Sequence, residues 1–369
     1  MDRQTIETLI KIKKLQILEK NKHDLEIALK IILNSLYGAI SSNYFIFFNL
    51  QMARSITLTG QLFNKYMEKT LNRVTNELLG NDADNQKDYV LTMDTDSDYL
   101  NVDELVQRLI KNTGGHLTRD EIVDKIDGLC KKVYEVELAK ANLNMSTYLN
   151  LKQKDIMALK REVISDRSIF TGKKHYAMRV LDSEGVRYAN PHMKVIGLES
   201  VKAQTPKKVQ DMLNSAIEVI FDKNDTEIRQ YYNDCKDKFF SLSVDDIASP
   251  ISVNNVTKYA DPKTIFIKGT PQNSKASLIH NNYIKKLGID DKINEIRDSD
   301  KINIIKLLMP NPVGFDTFAY VGSFSPLFEL DKYIDYEAQF NKVFDSPFQA
   351  LINVTPYTIE EINDIEDFI

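Results

Sequence analysis

KIILNSLYG (Lys30–Gly38) and, further along, MDTDS (Met93–Ser97) are the two stretches on which the reading of this chain turns. At 100° per residue, Lys30, Asn34 and Tyr37 fall within roughly 60° of one another on a helix. Leu29, Ile32, Leu33 and Leu36 lie mostly on other sides. A cation, an amide and a phenol therefore share one stripe. The ammonium can neutralise phosphate charge, and the amide can donate to a phosphate oxygen. The phenol offers a flat face to a base, and Gly38 lets a backbone or base approach closely. Taken alone, such a stripe is the solvated side of an amphipathic helix.

The second stretch is acidic. Asp94 and Asp96 flank Thr95 between two short β-type runs, Tyr89–Met93 and Asp98–Val102, a pattern that predicts a hairpin. Hard oxygen ligands one residue apart suit Mg²⁺, which takes one or two carboxylates together with waters and substrate phosphates. Two such ions can clamp the attacking and leaving oxygens of an in-line displacement. An ordinary Asx-rich turn is the plain alternative. A calcium loop is excluded, because its pattern needs Gly where Tyr99 stands and Glu where Leu105 stands.

The rest of the chain sets bounds. Its 369 residues, 43% hydrophobic and 27% charged, have ordinary globular composition and suffice for two or more domains. Cys130 and Cys235 are too few and too far apart for a disulfide framework or zinc site, which fits a reducing, cytoplasmic compartment. No run approaches the ~20 apolar residues that span a bilayer. The net charge of −5 hides an uneven distribution. Between Lys160 and Lys208 there are eleven Lys/Arg against five acids, whereas the tail IEEINDIEDFI is acidic. A basic block of this kind is compatible with a nucleic-acid groove.

Hydrophobic spacing predicts a helix over 2–22, an interruption at Asn21–Asp24, and a second helix from Asp24 to near Gly38, together an antiparallel hairpin. A further helix is expected over Leu50–Leu79 and another over Asp120–Tyr148. Strands are expected at Ile164–Phe170, His175–Leu181 and Val186–Tyr188, and helices dominate from Pro206 onward, with a soft boundary at Thr205–Pro206.

KIILNSLYG resembles the fingers-helix signature of family B DNA polymerases: Lys, three residues, Asn-Ser, one residue, Tyr-Gly. Met93–Ser97 resembles the acidic motif that follows it in that family. The pattern departs in having Thr92-Met93 where Tyr-Gly is usual, and Asp98 where an apolar residue is usual. TGKKHY (Thr171–Tyr176) is similar to the family's Lys-Lys-Arg-Tyr element, with His175 in place of the arginine. Glu162 matches an auxiliary acid near the catalytic pair, although Lys160 replaces an acidic neighbour usual there. Arg187–Gln210 resembles the palm-to-thumb passage of T-even bacteriophage replicative polymerases in particular. Weaker similarity runs through Asn254–Tyr259 and Asn311–Gly314, and IEDFI (Ile365–Ile369) resembles a clamp-inserted peptide.

The resemblance implies an α+β fragment of a polymerase right hand, with fingers helices, an antiparallel palm sheet and a mainly helical thumb. Its parts would be fingers at 1–60, palm at 61–205, thumb at 206–358 and an acidic tail at 359–369. It implies nucleotidyl transfer from a dNTP to a primer 3′-OH with two Mg²⁺ ions. Asp94 and Asp96 would be the catalytic metal ligands, with Glu162 as a further one. Lys30, Asn34 and Tyr37 would hold the nucleotide, and Gly38, Lys173, Lys174 and Tyr176 the primer–template DNA. Phe368 and Ile369 would dock on a sliding clamp. The family's first metal-binding Asp motif and its 3′–5′ exonuclease have no counterpart in the sequence. The expectation is therefore the C-terminal part of a polymerase, either a separately encoded half of a split polymerase or a truncated piece, inactive until joined by an N-terminal polymerase part. The alternative is a catalytically inactive DNA-binding or scaffold subunit.

Overall fold

A computed structural model describes residues 3–95, 97–154 and 157–357, with side chains from Lys11 onward. The chain divides into two compact units, Met1–Arg161 and Glu162–Ile369. The boundary expected near residue 205 falls inside the second.

The first unit opens with one uninterrupted helix, α1 (Arg3–Ile40), not with the expected pair. Asn21, Lys22, His23 and Asp24 include no Gly or Pro, and each costs a helix well under ~1 kcal/mol. The i→i−4 ladder therefore runs through the expected break. From Lys11 to Gly38 every side chain of α1 is exposed, and Ala39 and Ile40 are half-buried. After an irregular aromatic segment, α2 (Leu50–Leu79) begins where Asn49 Oδ1 accepts from the Met52 N–H. It ends at Gly80, whose φ of 68° closes the helix in the left-handed region that glycine tolerates. Both bounds agree with the sequence pattern.

Phe63, Met67, Leu71 and Val74 form a buried stripe along α2, the i, i+4 spacing of one helix face. Against it pack Leu138, Ala141 and Met145 of a later helix. Strands β1 (Val90–Asp94) and β2 (Ser97–Leu100) pair antiparallel beside α2. Helix α3 (Asp103–Asn112) follows, which the sequence reading did not anticipate. Next come α4 (Arg119–Leu129), capped reciprocally by Thr118 and Glu121, and α5 (Glu135–Tyr148). A single wide turn at Cys130–Tyr134 joins these two, so the expected Asp120–Tyr148 helix is present with a π-bulge in it.

The second unit begins with a three-stranded antiparallel meander, β3 (Val163–Gly172), β4 (His175–Ser183) and β5 (Val186–Ile196). All three strands outrun their predicted spans. Helices α6 (Lys207–Asp222) and α7 (Asp225–Phe240) follow, then the single turn α8 (Val244–Ile247) and strand β6 (Ser249–Ser252). Next are α9 (Val256–Tyr259), the two-residue strands β7 (Ala260–Asp261) and β8 (Ile265–Phe266), and α10 (Gln272–Leu287). Strands β9 (Lys301–Lys306) and β10 (Thr317–Tyr320) and helices α11 (Tyr336–Phe340) and α12 (Ser346–Ile352) complete it.

Helices dominate beyond residue 206 as expected, and a second antiparallel sheet in the order β10-β9-β6, which the sequence reading did not anticipate, lies among them. Pro250 sits in β6, an edge strand, where its missing N–H costs the ladder nothing. An aromatic column holds the unit together. Phe340, Phe344 and Phe348 recur every four residues and stack at 5.2 and 5.5 Å, with Tyr232 and Phe239 against them. The three phenylalanines are fully buried. Mixed helix with small antiparallel sheets is the α+β class expected.

Candidate functional site

Two asparagines one helical turn apart on α2 hold the chain that enters the acidic hairpin. Asn72 Oδ1 accepts from the Tyr89 and Val90 N–H groups at 2.8 and 3.1 Å, while its amide donates to Asp88 Oδ1 at 2.6 Å. Asn76, 3% exposed, donates to the Lys87 carbonyl at 2.8 Å and accepts from the Lys87 N–H at 2.9 Å. Main-chain groups just before β1 are thereby satisfied by side chains, which fixes where the hairpin starts. The sequence reading missed both residues. Their signal was two amides four apart on a helix that otherwise presents leucine and valine to its core.

Cα pairing of Asp94 with Ser97 closes the hairpin, with Thr95 following Asp94 at its tip. Thr95 has φ +56°, a left-handed conformation that primed hairpin turns demand and that a β-branched residue resists. Strain of this kind, of order 1–3 kcal/mol, persists where surrounding contacts over-determine it. Here Thr95 Oγ1 donates to Asp94 Oδ1 at 3.0 Å and Ser97 Oγ donates to the Asp94 carbonyl at 3.2 Å. The Asp94 carboxylate is thus half-buried at a strand end with its rotamer steadied by the next hydroxyl. One carboxylate flanked by hydroxyls and a carbonyl is a donor set that Mg²⁺ accepts. Among the described residues no three His, Cys, Asp or Glu converge as a complete metal site. Asp96 lies outside the described residues.

Asp98, where the resemblance leads one to expect an apolar residue, is closed in by the hairpin. It pairs across the hairpin with Met93, which packs on the α2 core. Its carboxylate oxygens are shut off from solvent with no hydrogen-bond partner among the described residues. Burial, and then the charge of Glu68, push its pKa up to about 6.

Lys30, Asn34 and Tyr37 all lie on α1 and are exposed. Lys30 pairs with Glu26 at 2.7 Å, one turn back on the same helix. The Tyr37 hydroxyl and Thr57 Oγ1 of α2 are 2.6 Å apart, which ties the end of α1 to α2. α2 is thus the common support, carrying α1 on its first half and the acidic hairpin on the remainder. At Gly38 an added Cβ would meet nothing within 4 Å, so that surface is open.

In the second unit, Lys173 and Lys174 form the β3–β4 turn, with Lys174 at φ +59°. His175 Nδ1 lies 2.7 Å from the Lys173 carbonyl. Gly197, φ +69°, lets the end of β5 pass so close that a Cβ there would collide with the Lys174 carbonyl. Tyr176 is buried, its ring 5.4 Å from that of Phe170, which puts it beneath the turn. Glu162 pairs with Lys194 at 3.6 Å.

The basic block is less available than its count suggested. Arg179 binds Asp166 and Asp222, Arg187 binds Asp182, Lys202 binds Glu199 and Lys207 binds Asp211. The two turn lysines stand at a hairpin tip. Phe368 and Ile369 lie outside the described residues.

Residues 75–234, which include the clamped hairpin and the lysine turn, match the family model for divergent family B DNA polymerases. The DNA-directed DNA polymerase of Escherichia phage RB69 is 30% identical over 362 residues, covering 92% of this chain. That of Enterobacteria phage T4 is 27% identical over 344 residues, covering 90%. The chain spans only 38% and 37% of the lengths of these relatives. No described helix is long and apolar enough to cross a membrane.

Proposed function

We propose that this family B DNA polymerase-like chain is the C-terminal part of a replicative DNA-directed DNA polymerase. It adds dNTPs to a primer 3′-OH when combined with the portion of the enzyme that its relatives carry and it does not match. That portion, in the same polypeptide or a separate one, contributes the first metal-binding aspartate and the exonuclease.

The observation that carries this reading is the Asp94 turn, clamped by Asn72 and Asn76 and falling inside the matched region. With Asp94 and Asp96 as ligands, two Mg²⁺ ions would lower the charge on the attacking 3′-oxygen and on the leaving pyrophosphate. The chain's own residues do the positioning. Lys30, released from Glu26, meets the triphosphate, and Asn34 donates to a phosphate oxygen. Tyr37 and the open surface at Gly38 lie against the nascent pair. Lys173 and Lys174 neutralise duplex phosphates, with Tyr176 as the buried support of their turn.

Primer extension by the chain combined with the remaining polymerase portion tests this. Asp94→Ala is expected to abolish synthesis, by at least about 10³-fold, the scale of losing a main electrostatic contributor. Lys30→Ala is expected to weaken dNTP use without altering DNA binding. Synthesis indifferent to Asp94→Ala would favour the scaffold reading instead.

A further inference from the structure

A half-open cavity of about 120 Å³ lies in the second unit, beside the lysine turn. Its apolar wall comes from Leu198, Leu213, Ile217 and Leu351, all buried. Ser200, in the single turn Glu199–Val201, is 3% exposed and lines the same space. Its Oγ has no hydrogen-bond partner among the described residues. A hydroxyl shut away in this manner is costly until something answers it. His175 lines the cavity too. Its Nδ1 faces the Lys173 carbonyl, which can only accept, so in the neutral ring Nδ1 carries the proton and Nε2 is the acceptor. Cδ2, the ring carbon bonded to Nε2, lies 3.1 Å from where a Cβ on Gly197 would stand, and Gly197 is itself a lining residue.

These features select an occupant. An apolar wall with one hydroxyl and one ring acceptor suits a flat ring with a polar edge, able to accept from Ser200 and donate to His175. An aliphatic side chain would cover the wall and leave the hydroxyl unanswered. Size sets the number of rings. A cavity of about 150 Å³ holds benzene, so this smaller one, open on one side, admits a single six-membered ring and not a fused pair. Charge does not select against a neutral ring, because Glu199 and Lys202 of the lining already pair with each other at 2.6 Å. The Gly197 wall is backed by the Lys174 carbonyl, so the cavity adjoins the main chain of the turn proposed to hold DNA. We infer that this cavity takes one unpaired pyrimidine base of the strand that the turn lysines grip, its polar edge between Ser200 Oγ and His175 Nε2. The inference rests on the polymerase reading for the strand, and not for the cavity. His175 stands where the resemblance has arginine, so the ring acceptor is a feature of this chain's own sequence.

The test uses the full chain, without Mg²⁺, and three labelled strands of sugar phosphate: one wholly abasic, one with a central thymine and one with a central adenine. Fluorescence anisotropy is expected to show the thymine strand bound at least about fivefold tighter than the abasic one, the scale of one net hydrogen bond. The adenine strand should bind as the abasic one does. Ala350→Phe, which adds a ring at an exposed position of the lining, should erase the thymine advantage with the circular dichroism spectrum unchanged. Ser200→Ala should shrink that advantage without lowering Tm, because the hydroxyl it removes has no partner to lose. Equal binding of the thymine and abasic strands, or an advantage that survives Ala350→Phe, overturns the inference. Adenine bound as tightly as thymine overturns the choice of a single ring. Free thymidine that competes as well as the thymine strand overturns the assignment to a strand. Failure of all three strands to bind removes the lysine turn as a DNA grip and the inference with it. Binding indifferent to thymine removes the inference alone, and neither result depends on the effect of Asp94→Ala on synthesis.

Discussion

The two units reach order by different means. The second buries a column of phenylalanines, Phe340, Phe344 and Phe348, among its own helices, with two three-stranded sheets and a two-stranded one beside them. The first has a modest core between α2 and α5, and beside it a 38-residue helix whose side chains are in water from Lys11 to Gly38. Hydrophobic burial is the main stabilising term in folding, so a leucine-rich helix left uncovered contributes little to the chain it belongs to. What the contrast teaches is where to look for function. The second unit spends its apolar residues on itself, whereas the first holds them out beside a stripe and a turn suited to phosphate and metal.

That contrast can be broken by mutation. Phe344→Ala should cost the second unit about 3–5 kcal/mol in denaturant unfolding, the range for emptying a buried aromatic site. Leu29→Ala on α1 should change stability by less than about 0.5 kcal/mol, as at any exposed site. Comparable losses would show that α1 is packed, and the contrast would fail. An intermediate case lies within the first unit. Asn76→Ala leaves the Lys87 N–H and carbonyl without their buried partner. It should cost about 1–3 kcal/mol, the penalty for orphaned buried groups, with faster hydrogen exchange at Lys87–Val90 as its local readout.

The units should also answer pH in opposite directions. His280 is buried between Phe318 and Phe328, and burial holds its pKa below the ordinary 6.5. Unfolding frees the ring to take a proton, so the second unit loses stability as pH falls below about 6.5. His280→Gln should flatten that fall. Asp98 does the reverse: its pKa is raised from 3.8 to about 6, so its stability contribution is whole below 3.8 and is lost as pH rises toward 6. At pH 7.5, without metal, Asp98→Asn should stabilise the first unit by about 1 kcal/mol after allowing for solvent screening, or about 2–4 °C in Tm. Parallel pH profiles for the two units would contradict both assignments. The smallest effect is expected at the hairpin tip. Thr95→Gly relieves the positive φ and should raise stability by about 1 kcal/mol or less, even though the hydroxyl steadying Asp94 is gone.

Much of this was legible in the sequence. The α2 bounds, the acidic hairpin and the three-stranded meander follow from periodicity and turn residues that agree with the tertiary structure. The failures have physical causes. Asn21–Asp24 reads as a break, but polar residues without Gly or Pro do not stop a helix. Sheet β10-β9-β6 pairs strands far apart in the chain, one holding Pro250, so local pattern hides it. The basic block between Lys160 and Lys208 is plain to count, yet the acids that neutralise it include Asp211 and Asp222, which lie outside it. Motif residues Lys30 and Asp94 stand out by type and spacing. Asn72 and Asn76, which place the hairpin, do not, because an amide that caps main-chain groups has no distinctive neighbourhood in one dimension.

The central claim, that the clamped turn bears the catalytic carboxylates of a DNA polymerase, is tested most directly by primer extension with Mg²⁺. The chain would be combined with the remaining polymerase portion, and wild type compared with Asp94→Asn at equal DNA occupancy. The prediction is a fall in nucleotide incorporation of at least about 10³-fold with primer–template affinity unchanged. Incorporation at the wild-type rate by Asp94→Asn would contradict it.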